Sequence, residues 1–467
     1  MRQLKYFILT IITAISLSSC IEDSVSTDPA MQPTFSTDTL KLGEIFTEQL
    51  TPTSRFTVYN RGDKILNINN ISLRDDNENI YRLNVDGFSG REFSNVEIRP
   101  KDSIFVYVEA LVPQNPTLLP VKMDRTIDFV TLGETRSVII NAITRNAERL
   151  KAVTLSADAA FTSDQPYIIY DSLIVEPGVT LTLRPGTKLL FHDSAYMRVK
   201  GTLKSDGEPG KEVELRGDRN GNVATNIPYE IMSGQWKGVI FDNSSTDNLL
   251  SHTVIKNTEF GVVADHTGLT AINCVFRNSK GFAFAGTGCD LKFTGTEFAE
   301  AASGLLYIEG GCAELDFCTL SNNYLFSAIT GPALCLSHTD ADSDNGSGEP
   351  YLAAEVRNTI IYGIGSDISH GDLTGRDIFL RNCLLRSPGT NDDNFIDCLW
   401  DTDPMFRTVR NDYYFDYRLK EGSPATGAAN PLFLTPEAAV DRYGNSRGSD
   451  TPDLGAYAYR PEPGSEK

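Results

Sequence analysis

His252-Thr-Val-Ile255, Asn273-Cys-Val-Phe276, Gly295-Thr-Glu-Phe298, Phe317-Cys-Thr-Leu320, Asn358-Thr-Ile-Ile361 and Asn382-Cys-Leu-Leu385 are one short phrase written six times. Their final residues stand 21, 22, 22, 41 and 24 apart, and two places before each stands Cys or Thr. Short β-type segments returning at this interval, with no helical period, mark a solenoid. Each repeat makes one coil of a parallel β-helix, stacked on the next at about 4.8 Å. Cys289, Cys312 and Cys335 keep a 23-residue interval of their own. These thiols are expected to align inside the tube, beside a second set, Cys274, Cys318 and Cys383. The 41-residue step reads as one coil carrying an insertion of nearly 20 residues.

Upstream, Ser172-Leu-Ile-Val-Glu-Pro-Gly178 and Val179-Thr-Leu-Thr-Leu-Arg-Pro-Gly186 are strand-turn units, closed by Met197-Arg-Val-Lys-Gly201. Pro-Gly and Gly turns punctuate strands too short to stand alone. This opening, with Gly234-Gln-Trp236-Lys-Gly238, resembles the right-handed parallel β-helices of the pectate-lyase-like superfamily. Downstream, Asp403-Pro404-Met-Phe406, Asp416-Tyr-Arg418-Leu419, Gly422-Ser-Pro-Ala425, Asp441-Arg-Tyr-Gly444 and Asp453-Leu-Gly-Ala456 follow in order. That series resembles the end of bacterial surface β-helix proteins of the choice-of-anchor Q kind. A terminal coil must hide its open edge, so residues from about 400 to 460 are expected to cap the helix.

Before the solenoid, Ser54-Arg-Phe-Thr-Val-Tyr-Asn60, Ile65 to Leu73 and Ile104-Phe-Val-Tyr-Val108 alternate apolar and polar residues between turns. Strands of this length imply an all-β sandwich over 34–147, ahead of a β-helix over 149–460. Phe56-x-Val58-x-Asn60-x-Gly62 with Leu66-x-Ile68-x-x-Ile71 resembles bacterial immunoglobulin-like domains of the type shared with certain ciliary and centrosomal proteins. A spacer role follows from that resemblance.

The first 20 residues read as a secretion signal, with Arg2 and Lys5 before an apolar run from Tyr6 to Leu17. The run is shorter than the ~20 residues a membrane-crossing helix needs. Leu17-Ser18-Ser19-Cys20 resembles the lipobox of bacterial lipoproteins, which implies cleavage before Cys20 and acylation of its thiol. Acyl chains contribute about 0.8 kcal/mol per buried CH₂, enough for stable anchoring when several are present. Residues 21–33 are polar and read as a tether. Ile21-Glu22-Asp23-Ser24 resembles the export signal of lipoproteins that reach the outer face of the Gram-negative outer membrane. An outer-membrane location facing the exterior is the expectation.

The chain carries a formal net charge of −20, and −22 once Arg2 and Lys5 are removed. That excess argues against nucleic acid as a partner, because phosphate binding needs clustered Lys and Arg. It also disfavours polyanionic sugars unless Ca²⁺ bridges them. With Cys20 acylated, seven thiols remain and no Cys-x-x-Cys motif is present, so buried free thiols are expected.

Several residues are candidates for chemistry. Asp340, Asp342 and Asp344 alternate as in Ca²⁺ loops, although Asn345 intervenes before Gly346 and Glu349 falls short of the usual position. An acidic solvated loop is the competing reading. Asp242, Asp265, His266 and Asp290 fall on or near the turns of successive coils and could converge, with Arg277 or Lys292 as a base. Trp236 and Trp400 could stack on sugar rings, although packing is the commoner use of a Gly-x-Trp-x-Gly strand. The five histidines show no metal spacing, and Gly-x-Ser-x-Gly and Walker motifs are absent.

No catalytic residue is assigned. The expectation is a lipid-anchored, non-catalytic envelope protein that binds an extended ligand, a glycan foremost, on the β-helix flank. The alternatives are a polysaccharide lyase or glycoside hydrolase of the same fold, and an adhesin or accessory subunit docking on an outer-membrane protein.

Overall fold

A computed structural model of the chain describes residues 24–224, 227–338, 351–411 and 413–461. Cys20 and Asp340, Asp342 and Asp344 lie outside the described residues. Contacts divide the chain between Asn146 and Ala147 into two units.

The first unit is an immunoglobulin-like β-sandwich. One sheet runs in the order Thr34–Phe35, Ser54–Tyr59, Ser103–Ala110, Tyr81–Val85, Phe88–Gly90, antiparallel throughout. The other runs Thr39–Phe46, Glu134–Arg145, Arg125–Thr131, Leu66–Arg74, Glu92–Ile98, with only the first pair parallel. The alternation of Ser54–Tyr59 puts Phe56 and Val58 inward while Arg55, Thr57 and Tyr59 face out. Phe35, Phe56 and Phe129 close the core, Phe56 meeting the other two edge to face, at 6.1 Å and 81° from Phe129. Asn60, fully buried, fixes the following turn by donating to the carbonyls of Lys64, Ile98 and Arg99.

The second unit is a parallel β-helix, 25 of its strands joined in one all-parallel sheet, with two antiparallel pairs outside it. Three columns stack. The first holds Tyr196–Val199, Gly238–Phe241, Val262–Asp265, the leading halves of Phe282–Thr294 and Gly304–Asp316, and Leu334–Ser337. The second holds Thr202–Asp206, Asn248–Ser251, Gly268–Ile272, the trailing halves of the two long strands, Leu352–Arg357 and Ile378–Arg381. The third carries the repeated phrase, in register Ile255↔Phe276↔Phe298↔Leu320↔Ile361↔Leu385. All six are buried, and Phe276 and Phe298 stack at 5.2 Å. The 41-residue step is one coil, since Leu320 pairs directly with Ile361. Its extra length is split, part between the third and first columns and part between the first and second.

The Cys-or-Thr rule has a hydrogen-bonding cause. Each such residue follows one at positive φ, from His252 at 43° to Gly295 at 59°. The reversal leaves carbonyls pointing at the corner, and the small side chain donates to them. Cys274 Sγ reaches the carbonyls of Leu250 and Ile272, Thr296 Oγ1 those of Ala271 and Thr294, and Cys318 Sγ those of Phe293 and Asp316. Cys383 and Cys398 repeat the pattern. Only a short side chain with a donor satisfies both backbone groups.

The other thiol column does not form. Cys289 is buried and pairs with Gly311, Cys312 is exposed between Asp290 and Ala353, and Cys335 sits in the first column beside Tyr307 and Ser369. The coil step here is 22 residues, as in Cys289↔Gly311, so a 23-residue interval slips one position. In a strand, one position is the opposite face. All seven described cysteines are free thiols.

The segment after Trp400 runs back along the outward face of the third column instead of lying over the last coil. Phe406, Tyr417, Leu419, Leu454 and Tyr457 form a second core with Ala299, Phe317, Ile360 and Leu384. Ala456 N donates to Thr319 Oγ1, Asn430 N to Asn358 Oδ1, and Asn273 Nδ2 to the carbonyl of Val440. Within the segment Asp441 accepts from the backbone of Tyr443 and Asn445, and Arg447 donates to the carbonyls of Gly455 and Ala456.

Candidate functional site

With the third column covered by the C-terminal segment, the first column's outward flank is a regular surface of the solenoid. The registers Asp265↔Thr287↔Glu309↔Ser337 put four polar side chains in one row, and Asp242 extends it one coil beyond Phe241↔Ala264. Two residues back lies an apolar row, Ile240↔Val263↔Ala285↔Tyr307. Beyond it two phenylalanine rings lie one coil apart, Phe260 and Phe282, both half-buried.

Glycine makes room for those rings. Gly304 sits at φ +126°, where a Cβ would fall 2.5 Å from the Phe282 ring. Gly238, at φ +134°, would place one 2.8 Å from Phe260 and 2.1 Å from the carbonyl of Gly261. Phe282 then leans on Tyr307, centroids 5.3 Å apart. Burial raises the pKa of the Tyr307 hydroxyl, so it stays a neutral donor. The flank is therefore amphipathic, with rings on one edge and carboxylates on the other.

The polar row is internally engaged. Asp242 takes both oxygens to Arg198 Nε, at 3.0 and 2.9 Å, and this hydrogen bond holds the guanidinium pKa above its usual value. Asp265 lies 2.7 Å from His266 Nδ1, with both side chains more than half exposed. Thr287 Oγ1 donates to Glu309. Asp290 stands in the second column between Gly268 and Cys312, close in sequence to this row but in a different one. Asp242, Asp265 and His266 thus come together on one flank, and Asp290 faces away from their row.

The tryptophans do not join them. Trp236 is a core residue, 1% exposed, stacked on Phe191 at 4.0 Å and 9°, with Nε1 donating to the carbonyl of Lys256. The sequence reading of a sugar-stacking ring there is overturned, because the Gly-x-Trp-x-Gly strand turns its indole into the tube. Trp400 packs half-buried on Phe395 in the last coil and donates to Asn391 Oδ1. Arg277 is no base either: it is held 2.8 Å from Glu300 and 3.7 Å from Glu297 beneath the C-terminal segment, where Tyr417 and Tyr457 bond the two carboxylates. Among the described residues no group of His, Cys, Asp and Glu is arranged to hold a metal ion.

Phe260, Phe282 and Tyr307 escaped sequence reasoning. Their signal was present as 22-residue offsets, Phe260 to Phe282 and Ala285 to Tyr307, but the repeat was read only from the third column. Elsewhere on the helix a cleft of about 480 Å³ is lined by Tyr362, Arg386, Asp401 and Asp403.

No family model matches the chain, and no curated protein matches it. Among solved structures, a family 123 glycoside hydrolase from Clostridium perfringens, described in a study of glycolipid glycan hydrolysis, is similar over 24% of this chain and 26% of its own, at 9% identity and a TM-score of 0.18. A likeness of that extent assigns neither fold nor activity.

Proposed function

We propose that the chain is a lipid-anchored envelope protein whose β-helix flank binds an extended, uncharged glycan without cleaving it. The observation that carries this reading is the repetition along the first column: rings Phe260 and Phe282 face the row Asp242, Asp265, Thr287, Glu309 and Ser337 across an apolar strip that Tyr307 continues. Aromatic faces take the apolar side of a sugar ring while carboxylates accept from its hydroxyls. A polymer lying along the axis meets a carboxylate or hydroxyl on each of five coils and an aromatic ring on three of them. The carboxylates repel an anionic polymer, so the ligand of the flank is neutral.

The rival reading, a glycoside hydrolase or polysaccharide lyase, is favoured by the 480 Å³ cleft, where two carboxylates, Asp401 and Asp403, stand near Tyr362 and Arg386. The test is pull-down of the chain lacking residues 1–20 on insoluble neutral polysaccharides, with product detection. Retention on a neutral glycan, weakened about three- to tenfold by Tyr307→Ala, with no released sugar, is the expected result. Released oligosaccharide, abolished by Asp401→Asn or Asp403→Asn, moves the assignment to the hydrolase. For the anchor, Cys20→Ser is expected to shift the protein from the membrane to the soluble fraction.

A further inference from the structure

We propose that the sandwich is more than a spacer: the outer face of its five-stranded sheet carries a separate binding site for a carboxylated sugar. A cleft of about 780 Å³ opens there, within the size range of small-ligand sites. Its floor is made by the strands Tyr81–Val85 and Ser103–Ala110, whose alternation turns Arg82, Asn84, Tyr107 and Glu109 outward. Its wall is the short edge strand Phe88–Gly90 and Arg91.

Two guanidinium groups set the chemistry, and they differ in kind. Arg91 is locked. Its Nη2 donates to the carbonyl of Asp76 at 2.6 Å and to Asp76 Oδ2 at 2.7 Å, and that carboxylate is itself buried, accepting from the backbone of Ile80 and Tyr81. The buried aspartate holds one edge of the fork and leaves the Arg91 side chain 38% exposed at the cleft. Arg82 is exposed and, among the described residues, forms no ion pair or hydrogen bond with its side chain.

The one carboxylate lining the cleft, Glu109, is engaged by the Thr53 hydroxyl. Asp76 offsets Arg91 and Glu109 stands opposite Arg82 in register, so the cleft is close to neutral in a chain of net charge −20, and what it offers an anion is the Arg82 guanidinium, whose donors are unspent. A planar guanidinium fork matches a carboxylate through two parallel hydrogen bonds.

The remaining lining narrows the class from any anion to a sugar acid. Tyr107 is half-buried, presenting one ring face and a hydroxyl that donates to no described group, and Asn79 lies at the rim. Asn84 is held by Ser89 and Gly87, so a ring face plus the Asn79 amide is what meets a pyranose with several hydroxyls, with its carboxylate directed at Arg82. A uronic or sialic acid unit has this chemistry. The site is independent of the β-helix flank, which lies in the other unit and takes a neutral polymer.

The experiment is calorimetric titration of the whole chain in detergent with digalacturonic acid and 3′-sialyllactose, using lactose and acetate as controls. At least one acidic sugar is expected to bind, lactose and acetate are not. Arg82→Ala is expected to weaken binding ten- to hundredfold and Arg82→Lys to recover only part of it, because the ammonium cannot form the fork. Tyr307→Ala is expected to leave it unchanged, which separates this site from the flank. Equal binding of acetate, undiminished affinity in Arg82→Ala with an unaltered unfolding transition, or silence from both acidic sugars overturns the proposal.

Discussion

The sandwich and the β-helix are built from the same alternation of inward and outward residues, yet they use their outward faces differently. In the sandwich, strands pair antiparallel across long sequence gaps, such as Arg82 with Glu109 and Arg55 with Tyr107. Each outward position therefore occurs once, and the surface can hold one singular arrangement, like the locked Arg91 beside the free Arg82. In the β-helix, each outward position recurs on the next coil, so the surface becomes a set of rows such as Asp265, Thr287, Glu309 and Ser337. A unique ligand end fits the first kind of surface and a polymer fits the second.

The largest expected effect tests whether the two units stand on separate cores. Phe298→Ala removes a buried ring from the stack with Phe276 and Phe293, at a cost of about 3–5 kcal/mol. Phe129→Ala should cost a similar amount in the sandwich. Differential scanning calorimetry is expected to show each substitution lowering one transition and sparing the other. If both transitions move with either variant, the comparison between two autonomous units fails.

A second way to strain the comparison is the ionic cluster beneath the C-terminal segment, which has no counterpart in the sandwich. Arg277→Met leaves Glu297 and Glu300, both nearly inaccessible, without their cation. Burial already raises the Glu300 pKa, and removing one partner of a buried ionic group costs about 3–5 kcal/mol. The urea midpoint of the β-helix is expected to fall accordingly, and adding Glu300→Gln to restore part of it. An unchanged midpoint would mean that the segment is loosely held on the column.

What the sequence made legible follows from the same contrast. The third column was readable because its phrase ends in an inward apolar residue at every coil, from Ile255 to Leu385. Cys289 and Cys312 misled because their interval differs from the 22-residue coil step by one residue, enough to reverse a face, and Cys335 misled because its coil carries the insertion, so that it pairs with Tyr307 in the first column and not with Cys312. The path of the C-terminal segment was hidden because its partners are far away in the chain: the Tyr457 hydroxyl bonds Glu297 across 160 positions. Trp236 gave no clue to direction, since flanking glycines permit either face. The sandwich cleft draws Arg82 and Tyr107 from two strands and Thr53 and Arg91 from connecting segments, and no periodicity connects them.

The thiols sharpen the comparison at the level of single side chains. Burial pushes Cys274 and Cys318 up to about 12, so at pH 8 almost none of either is thiolate, the reactive form. Cys312 is exposed one residue out of phase with the inward Cys289. Titration of the native protein with a chromogenic disulfide is expected to label Cys312 quickly. Cys274, Cys318 and Cys383 should react only after unfolding. Rapid labelling of all seven described thiols would show that the corner ladder opens in the native state.

The smallest effect probes why that corner tolerates just two residue types. Thr296 Oγ1 donates to the carbonyls of Ala271 and Thr294 and accepts from the backbone N–H of Cys274. Thr296→Val keeps the volume but removes the hydroxyl, leaving buried backbone groups unpaired at a cost of about 1–2 kcal/mol. Thr296→Cys restores a short donor in the geometry that Cys274 and Cys318 already use on either side, so its cost should be below about 0.5 kcal/mol. Urea unfolding of the two variants discriminates between causes. If valine and cysteine are equally tolerated, the corner selects for size alone. If valine is costly and cysteine is not, the donor is what the repeat has kept at each winding, and an outward face with no such corner, like that of the sandwich, is free of the constraint.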